Sequence, residues 1–237
     1  MITQKNYASR RRDLMAMMQG NSIAVVAAAP EKIRSNDTHY PYKQCTNLSY
    51  LSGFPEPESV MLLIPGRQQG EVVFFCRDKD PLRETWDGYR EGPAGAVQNF
   101  GADDAFPIDD IDDILPGMLE GKDRVYYAIG KDAEFDKHLM TWVNDVREKR
   151  GNDAVPPGEF IDLDHLVNEM RLIKSAAEIK LMRQAGEISA RAHRRAMQLS
   201  RPGLYEYQLQ AEIEHEFMAS GAMGPAYTSI VGGGKNG

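Results

Sequence analysis

Five histidines stand at positions 39, 138, 165, 193 and 215, and their spacing decides which metal or acid–base chemistry is open to the chain. None lies at zinc-finger or zinc-protease distance from another. In AEIEHEF, His215 and Glu216 begin an H-E-x-x-H pattern, but Ala219 takes the place of the second histidine. Glu212, His215 and Glu216 therefore read as the solvated face of a helix, not as metal ligands. DDIDDI at 109–114 reads as a helix opening, where carboxylates favour the positive end of the dipole. It lacks the glycine and the spaced oxygens of a calcium loop. VGGGKNG has glycines and a lysine without phosphate-loop spacing or a following helix, so it reads as a tight turn. No G-x-S-x-G elbow is present, and neither Cys45 nor Cys76 has a nearby histidine motif, which leaves covalent catalysis without support.

Composition narrows the partners. The net charge is −7, which repels nucleic-acid backbones and anionic lipid surfaces at long range. Hydrophobic residues make up 42% and charged residues 27%, the balance of a soluble globular protein. Arg10, Arg11 and Arg12 precede only a short apolar patch at 14–18, too interrupted for a signal-peptide core. The longest apolar run, IAVVAAAP, falls well below the roughly 20 residues of a membrane span. A cytoplasmic protein with two reduced thiols is the expectation, with neither nucleic acid nor membrane as partner.

The elements that would position any site follow from periodicity and punctuation. Helices are expected at 5–18, 81–86, 111–119, 133–148, 164–172, 176–199 and 205–220. Strands are expected at 22–29, 59–64, 72–76 and 124–129, with a further short strand at 227–231. Alternating strands and helices make the first part a layered α/β domain with a mixed sheet. The Pro-Pro pair in AVPPGEF, preceded by REKRGND, marks a division between 1–158 and 159–237, after which long helices dominate. Ser175 and Glu178 form an S-x-x-E capping box at the head of the helix 176–199. Met182, Ala185, Ile188, Ala192, Ala196 and Leu199 then recur at helical spacing as one buried stripe.

Two stretches exceed what composition explains. RSNDTHYPYKQCTNLSYLSGFPEPES is a long polar and aromatic connection between apolar strands, and such connections are usually functional. EMRLIKSAAEIKLMRQAGEISARAH is the second. Together they resemble the Xaa-Pro aminopeptidases (aminopeptidase P) of the creatinase and prolidase superfamily. YPYKQCTNLSYLSGFPEPESVMLLIPG is similar to that family's N-terminal-domain signature. RLIKSAAEI, with Arg171, Lys174, Ser175, Glu178 and Ile179, is similar to the start of its catalytic domain. RPGLYEYQLQAEIEHEF and YTSIVGGGKNG continue the resemblance to Gly237.

The resemblance implies a creatinase-type N-terminal domain followed by the first helices and strand of a pita-bread α+β peptidase domain, about the first half of a family member. It implies release of the N-terminal residue from peptides with proline in second position. The family's chemistry uses two divalent ions, usually manganese, held by two aspartates, a histidine and two glutamates. Those ligands lie beyond the segments matched here, so neither a catalytic nor a metal-ligating residue is expected in this chain, and the chain alone is expected to be inactive. The carry-over is limited to substrate-side residues. Tyr227 corresponds to a tyrosine beside the metal centre. Trp86, in RETWDGYREG, corresponds to a tryptophan offered to the active site of a neighbouring subunit in a homo-oligomer. Asp37, in SNDTHYPY, corresponds to a polar residue of the same contact, and an arginine of that lining falls near Arg150. Without the resemblance, Trp86 would be local packing, Asp37 a turn residue and Tyr227 strand filling. Two other readings stay open: a non-catalytic interaction module of peptidase-like fold, and a prolidase that takes only dipeptides.

Overall fold

The apolar run IAVVA has no polar alternation, as expected of a strand covered on both faces. In the computed structural model, which describes residues 2–149 and 154–237, it is the strand β1 (Ser22–Ala27) near the middle of a sheet. Arg150 lies outside the described residues. Among the described residues, β1 pairs antiparallel with β4 (Val60–Leu63) and parallel with β7 (Arg124–Tyr127). β5 (Val72–Cys76) pairs antiparallel with β4 and parallel with β6 (Asp104–Pro107), and β8 (Glu159–Asp162) lies parallel to β7. The order β6-β5-β4-β1-β7-β8 makes a mixed sheet.

Successive side chains of a strand point to opposite faces, so the sheet has two cores. Ala24, Val26, Met61, Leu63 and Phe74 pack beneath α1 (Gln4–Met17), α2 (Thr46–Ser52), α4 (Gly92–Phe100) and α7 (Leu163–Leu172) through Leu14, Leu48, Leu51, Ala96 and Val167. Ile23, Val25, Leu62, Phe75 and Val125 pack beneath α5 (Ile111–Leu119) and α6 (Ala133–Glu148) through Leu115, Leu119, Trp142 and Val146. The result is a three-layer α/β/α arrangement. Cys76 is buried in the first core, Cys45 is half-buried, and both are free thiols.

The long connection 34–59 is ordered by one amide. Gln44 Oε1 accepts from the Ala29 and Cys45 backbone N–H groups at 3.1 and 2.7 Å and from Tyr42 Oη at 2.8 Å. Gln44 Nε2 donates to the carbonyls of Phe54 and Glu56 at 3.3 and 2.7 Å. One side chain thus ties the middle and end of the connection to Ala29, just beyond β1. Gly53 ends α2 at φ +71, and a Cβ there would sit 2.6 Å from the Tyr7 ring, so both conformation and space require glycine.

The chain divides into compact units of residues 2–173 and 174–237. β8 joins the edge of the sheet beside β7, and Leu163 and Val167 of α7 enter the first core, so both elements belong to the unit 2–173. Within 174–237, α8 (Ala176–Leu199) and α9 (Glu206–Ala219) form a helical hairpin. The Ser175–Glu178 capping box is present, with Ser175 N–H donating to Glu178 Oε2 at 2.8 Å. The expected buried stripe of α8 is not: only Ala192 is buried, and Met182 is 60% exposed. Residues 227–231 are not a strand either. An extended segment becomes one only when a neighbour takes its N–H and C=O groups, and none lies alongside among the described residues.

Candidate functional site

The three residues singled out by sequence lie on different elements. Asp37 sits in the two-residue turn between β2 (Ile33–Ser35) and β3 (Thr38–His39), a hairpin exposed throughout. Asn36 before it takes φ +47, a conformation that asparagine tolerates and that turns the chain sharply enough to present Asp37 to solvent.

Trp86 is on α3 (Pro81–Asp87), none of whose residues is buried. Asp80 caps the helix, its Oδ1 accepting from the Leu82 and Arg83 N–H groups at 3.1 Å, and Pro81 fits the first turn because its missing N–H would have had no partner. Gly88 ends it at φ +88. Trp86 is 88% exposed, with Leu82 and Tyr89 also exposed nearby in sequence. A tryptophan this open contributes little to the core of its own chain. Lys79 Nζ donates to Tyr89 Oη at 2.8 Å, and that bond holds the ammonium above its ordinary pKa. No hydrogen bond, ion pair or ring contact joins Asp37 to Trp86 among the described residues.

Tyr227 belongs to the unit 174–237 and is 75% exposed. It lines a cavity of about 410 Å³ together with Ile188, His193, Ile213, Phe217 and Ile230. The walls are mainly apolar. The His193 side chain places Nδ1 2.8 Å from the backbone carbonyl of Ser189, four residues earlier on the same helix, and Ser229 Oγ donates to Glu214 Oε1 at 2.8 Å. A phenol in this setting can donate to or accept from a ligand resting on an apolar wall.

Glu212 and Glu216, on the helix face that also carries His215, are engaged in ion pairs. Glu212 Oε2 pairs with Arg195 Nη2 at 2.6 Å, and Glu216 Oε1 pairs with Arg191 Nε at 2.9 Å, across the α8–α9 hairpin. The bond from Arg191 holds the Glu216 carboxyl below its ordinary pKa. No group of three or more His, Cys, Asp or Glu side chains able to hold a metal occurs among the described residues, so this donor set does not fit a two-metal centre. The glycine-rich turn is tied down by Glu206, whose Oε1 accepts from Gly233 N–H at 2.7 Å and Asn236 Nδ2 at 3.0 Å. A carboxylate at its centre makes it a poor cradle for phosphate.

Sequence reasoning passed over Gln44 and Glu56. The signal available was their type: a half-buried amide and a buried carboxylate must find partners, and both stand in a segment otherwise too polar to be held by apolar packing.

The Aminopeptidase P, N-terminal domain family matches residues 7–126, and Metallopeptidase family M24 matches residues 180–237. One match falls in each compact unit. Xaa-Pro aminopeptidase of Escherichia coli (strain K12) is 41% identical over 237 residues, a match covering 100% of this chain and 54% of that protein. Xaa-Pro aminopeptidase of Haemophilus influenzae is 37% identical over 235 residues, covering 99% of this chain and 52% of that protein. The solved structure of Pseudomonas aeruginosa aminopeptidase PepP matches with a TM-score of 0.98 at 58% identity, covering 99% of this chain and 53% of that one. The chain spans about half the length of the curated relatives it matches. No described helix is long and apolar enough to cross a membrane.

Proposed function

The chain belongs to the aminopeptidase P N-terminal-domain family, and from that premise we propose that it is the amino-terminal portion of a metal-dependent, cytoplasmic Xaa-Pro aminopeptidase. In this reading the complete enzyme removes the first residue of peptides with proline in second position. Two divalent ions, manganese in the first instance, are held by residues outside this chain, and the chain alone is inactive. The observation that carries the reading is the unbroken match to two Xaa-Pro aminopeptidases over 99% or more of the chain, through both compact units.

The chain's own contribution is to substrate binding. Trp86, held on a short helix without burial, is offered from a homo-oligomer to the peptide in a neighbouring subunit's active site, where an aromatic face stacks on proline or a peptide plane. Asp37, on the exposed hairpin turn, belongs to the same contact and attracts the substrate's terminal ammonium. Tyr227, on the apolar wall of its cavity, orients the peptide or a metal ligand through its phenol.

The test is a substrate pair. The protein extended to the length of its relatives is given peptides that differ only in proline or alanine at the second position, and also an Xaa-Pro dipeptide. Release of the first residue from the tripeptide with proline and not from the one with alanine is the expected result. Cleavage of the dipeptide alone would make the enzyme a prolidase, and no cleavage at all would leave an interaction module.

A further inference from the structure

α3 buries none of its residues, and no residue of 77–91 enters either core, so something other than apolar packing must fix the excursion that carries Trp86. Its two ends converge on one carboxylate. Glu56, between the prolines of FPEPES, is only 6% exposed. Its Oε2 accepts from Arg77 Nη2 at 3.3 Å, at the first residue after β5. Its Oε1 accepts from the Glu91 backbone N–H at 2.6 Å, at the residue before α4. Between these anchors, Arg90 donates to the Asp78 carbonyl at 3.4 Å and to Asp87 Oδ2 at 3.5 Å. Arg77 Nε, whose nearest carboxylate is Glu58 Oε2 at 3.9 Å, and Arg90 Nε are buried without a hydrogen-bond partner, so two guanidinium donors at the base of the excursion lack an acceptor. A buried carboxylate is the group such a cluster can least spare.

We propose that Glu56 is the positioning residue for Trp86, closing the excursion 77–91 by holding both of its ends through one carboxylate. The effect on substrate rests on the reading of Trp86 as a peptide contact; the anchoring itself does not. Replacing the charge by an amide of the same size, Glu56→Gln, weakens the hold on Arg77. Because charge-assisted bonds are the stronger kind, the excursion should open more often while the sheet beneath it does not.

Hydrogen exchange on the 237-residue chain tests the anchoring. Glu56→Gln is expected to speed exchange of the amides in 78–91 on the order of ten-fold, with β4 and β5 unchanged in the same molecules. Uniform acceleration across the sheet, or none in 78–91, overturns the proposal. Glu56→Asp, which keeps the charge and draws it back by one methylene, is expected to give an intermediate effect, and it serves also if the glutamine variant fails to fold. In the protein extended to the length of its relatives, Glu56→Gln is expected to raise KM for a longer Xaa-Pro peptide about ten-fold. The same change made in a Trp86→Ala background should add almost nothing, because residues acting through one another are not additive. Full additivity of the two overturns the positioning role. Local acceleration in 78–91 with a KM indifferent to Trp86→Ala upholds the anchoring and contradicts the reading of Trp86.

Discussion

Asn47 Nδ2 donates to Asp164 Oδ1 at 2.6 Å, joining α2 to α7 across 117 positions of sequence. Lys131 pairs with the other oxygen of Asp164, and Tyr50 Oη donates to the Met170 carbonyl at 3.4 Å. These polar contacts and the burial of Val167 make α7 part of the compact unit 2–173.

Asn47→Ala removes a half-buried bond to a charged acceptor and is expected to cost about 1.5–3 kcal/mol. Urea denaturation of the 237-residue chain would read it. A midpoint indistinguishable from the parent would mean that α7 is held by its apolar face alone.

Where pattern and pairing agreed, the sequence was a sufficient guide. β5, α5, α6 and α8 occupy the residues expected of them, because β5 is a continuous apolar run and the helices have strong 3.6-residue periodicity, joined in α6 and α8 by side-chain caps at Asp132 and Ser175. α4 was hidden because GPAGAVQNF contains two glycines and a proline, and its helix is a product of packing against β5 and β6. β6 and β8 are four residues each and exist through their neighbours' hydrogen bonds, which no local pattern encodes. The same logic in reverse explains 227–231, whose residues favour a strand that has no partner beside it among the described residues. At the candidate site, the exposure of Trp86 and Asp37 needed a resemblance to give it meaning. The clamp by Glu56 was illegible because its partners lie far along the chain.

The two tryptophans make opposite predictions. Trp142 is 2% exposed, and its Nε1 donates to Asp112 Oδ1 at 2.7 Å. Trp142→Ala is therefore expected to cost about 3–5 kcal/mol. Trp86→Ala, at a side chain 88% exposed, should stay within about 0.5 kcal/mol of the parent. Thermal melts of the two variants settle the matter: a comparable loss at both positions would show that Trp86 is a packing residue after all.

Two glycines in left-handed turns separate conformation from space. Gly53 and Gly66 have φ of +71 and +79, but a Cβ at Gly53 meets the Tyr7 ring and one at Gly66 meets nothing within 4 Å. Both alanine variants pay the backbone strain, and Gly53→Ala adds a clash worth about 1–3 kcal/mol. Equal destabilisation in chemical denaturation would show that Tyr7 moves aside freely.

Burial pushes the Cys76 thiol from 9.0 up to about 12 and the Tyr42 phenol from 10.0 up to about 12. An unfolded chain releases these protons at the lower values, so between about pH 9 and pH 12 the unfolded state binds fewer protons than the folded one. Their contribution to stability is complete below pH 9 and is lost as the pH rises through 12. Cys76→Ala should flatten the alkaline fall of the urea midpoint while leaving its pH dependence at neutral pH as it was. An unchanged alkaline slope would place the sensitivity in other groups.

In the proposed reading, the chain supplies the substrate-side frame of an Xaa-Pro aminopeptidase whose metal chemistry would reside in the part of its relatives' length that it does not span. Hydrolysis of this kind needs metal to lower the pKa of bound water to about 7, and the described residues offer no set of donors for it. The direct measurement mixes Mn²⁺ and an Arg-Pro-Pro peptide with the purified 237-residue chain and, in parallel, with the same sequence extended to the length of its relatives. The account predicts release of arginine by the extended protein and none by the 237-residue chain. Proline-dependent, manganese-dependent release of arginine by the shorter protein would contradict it.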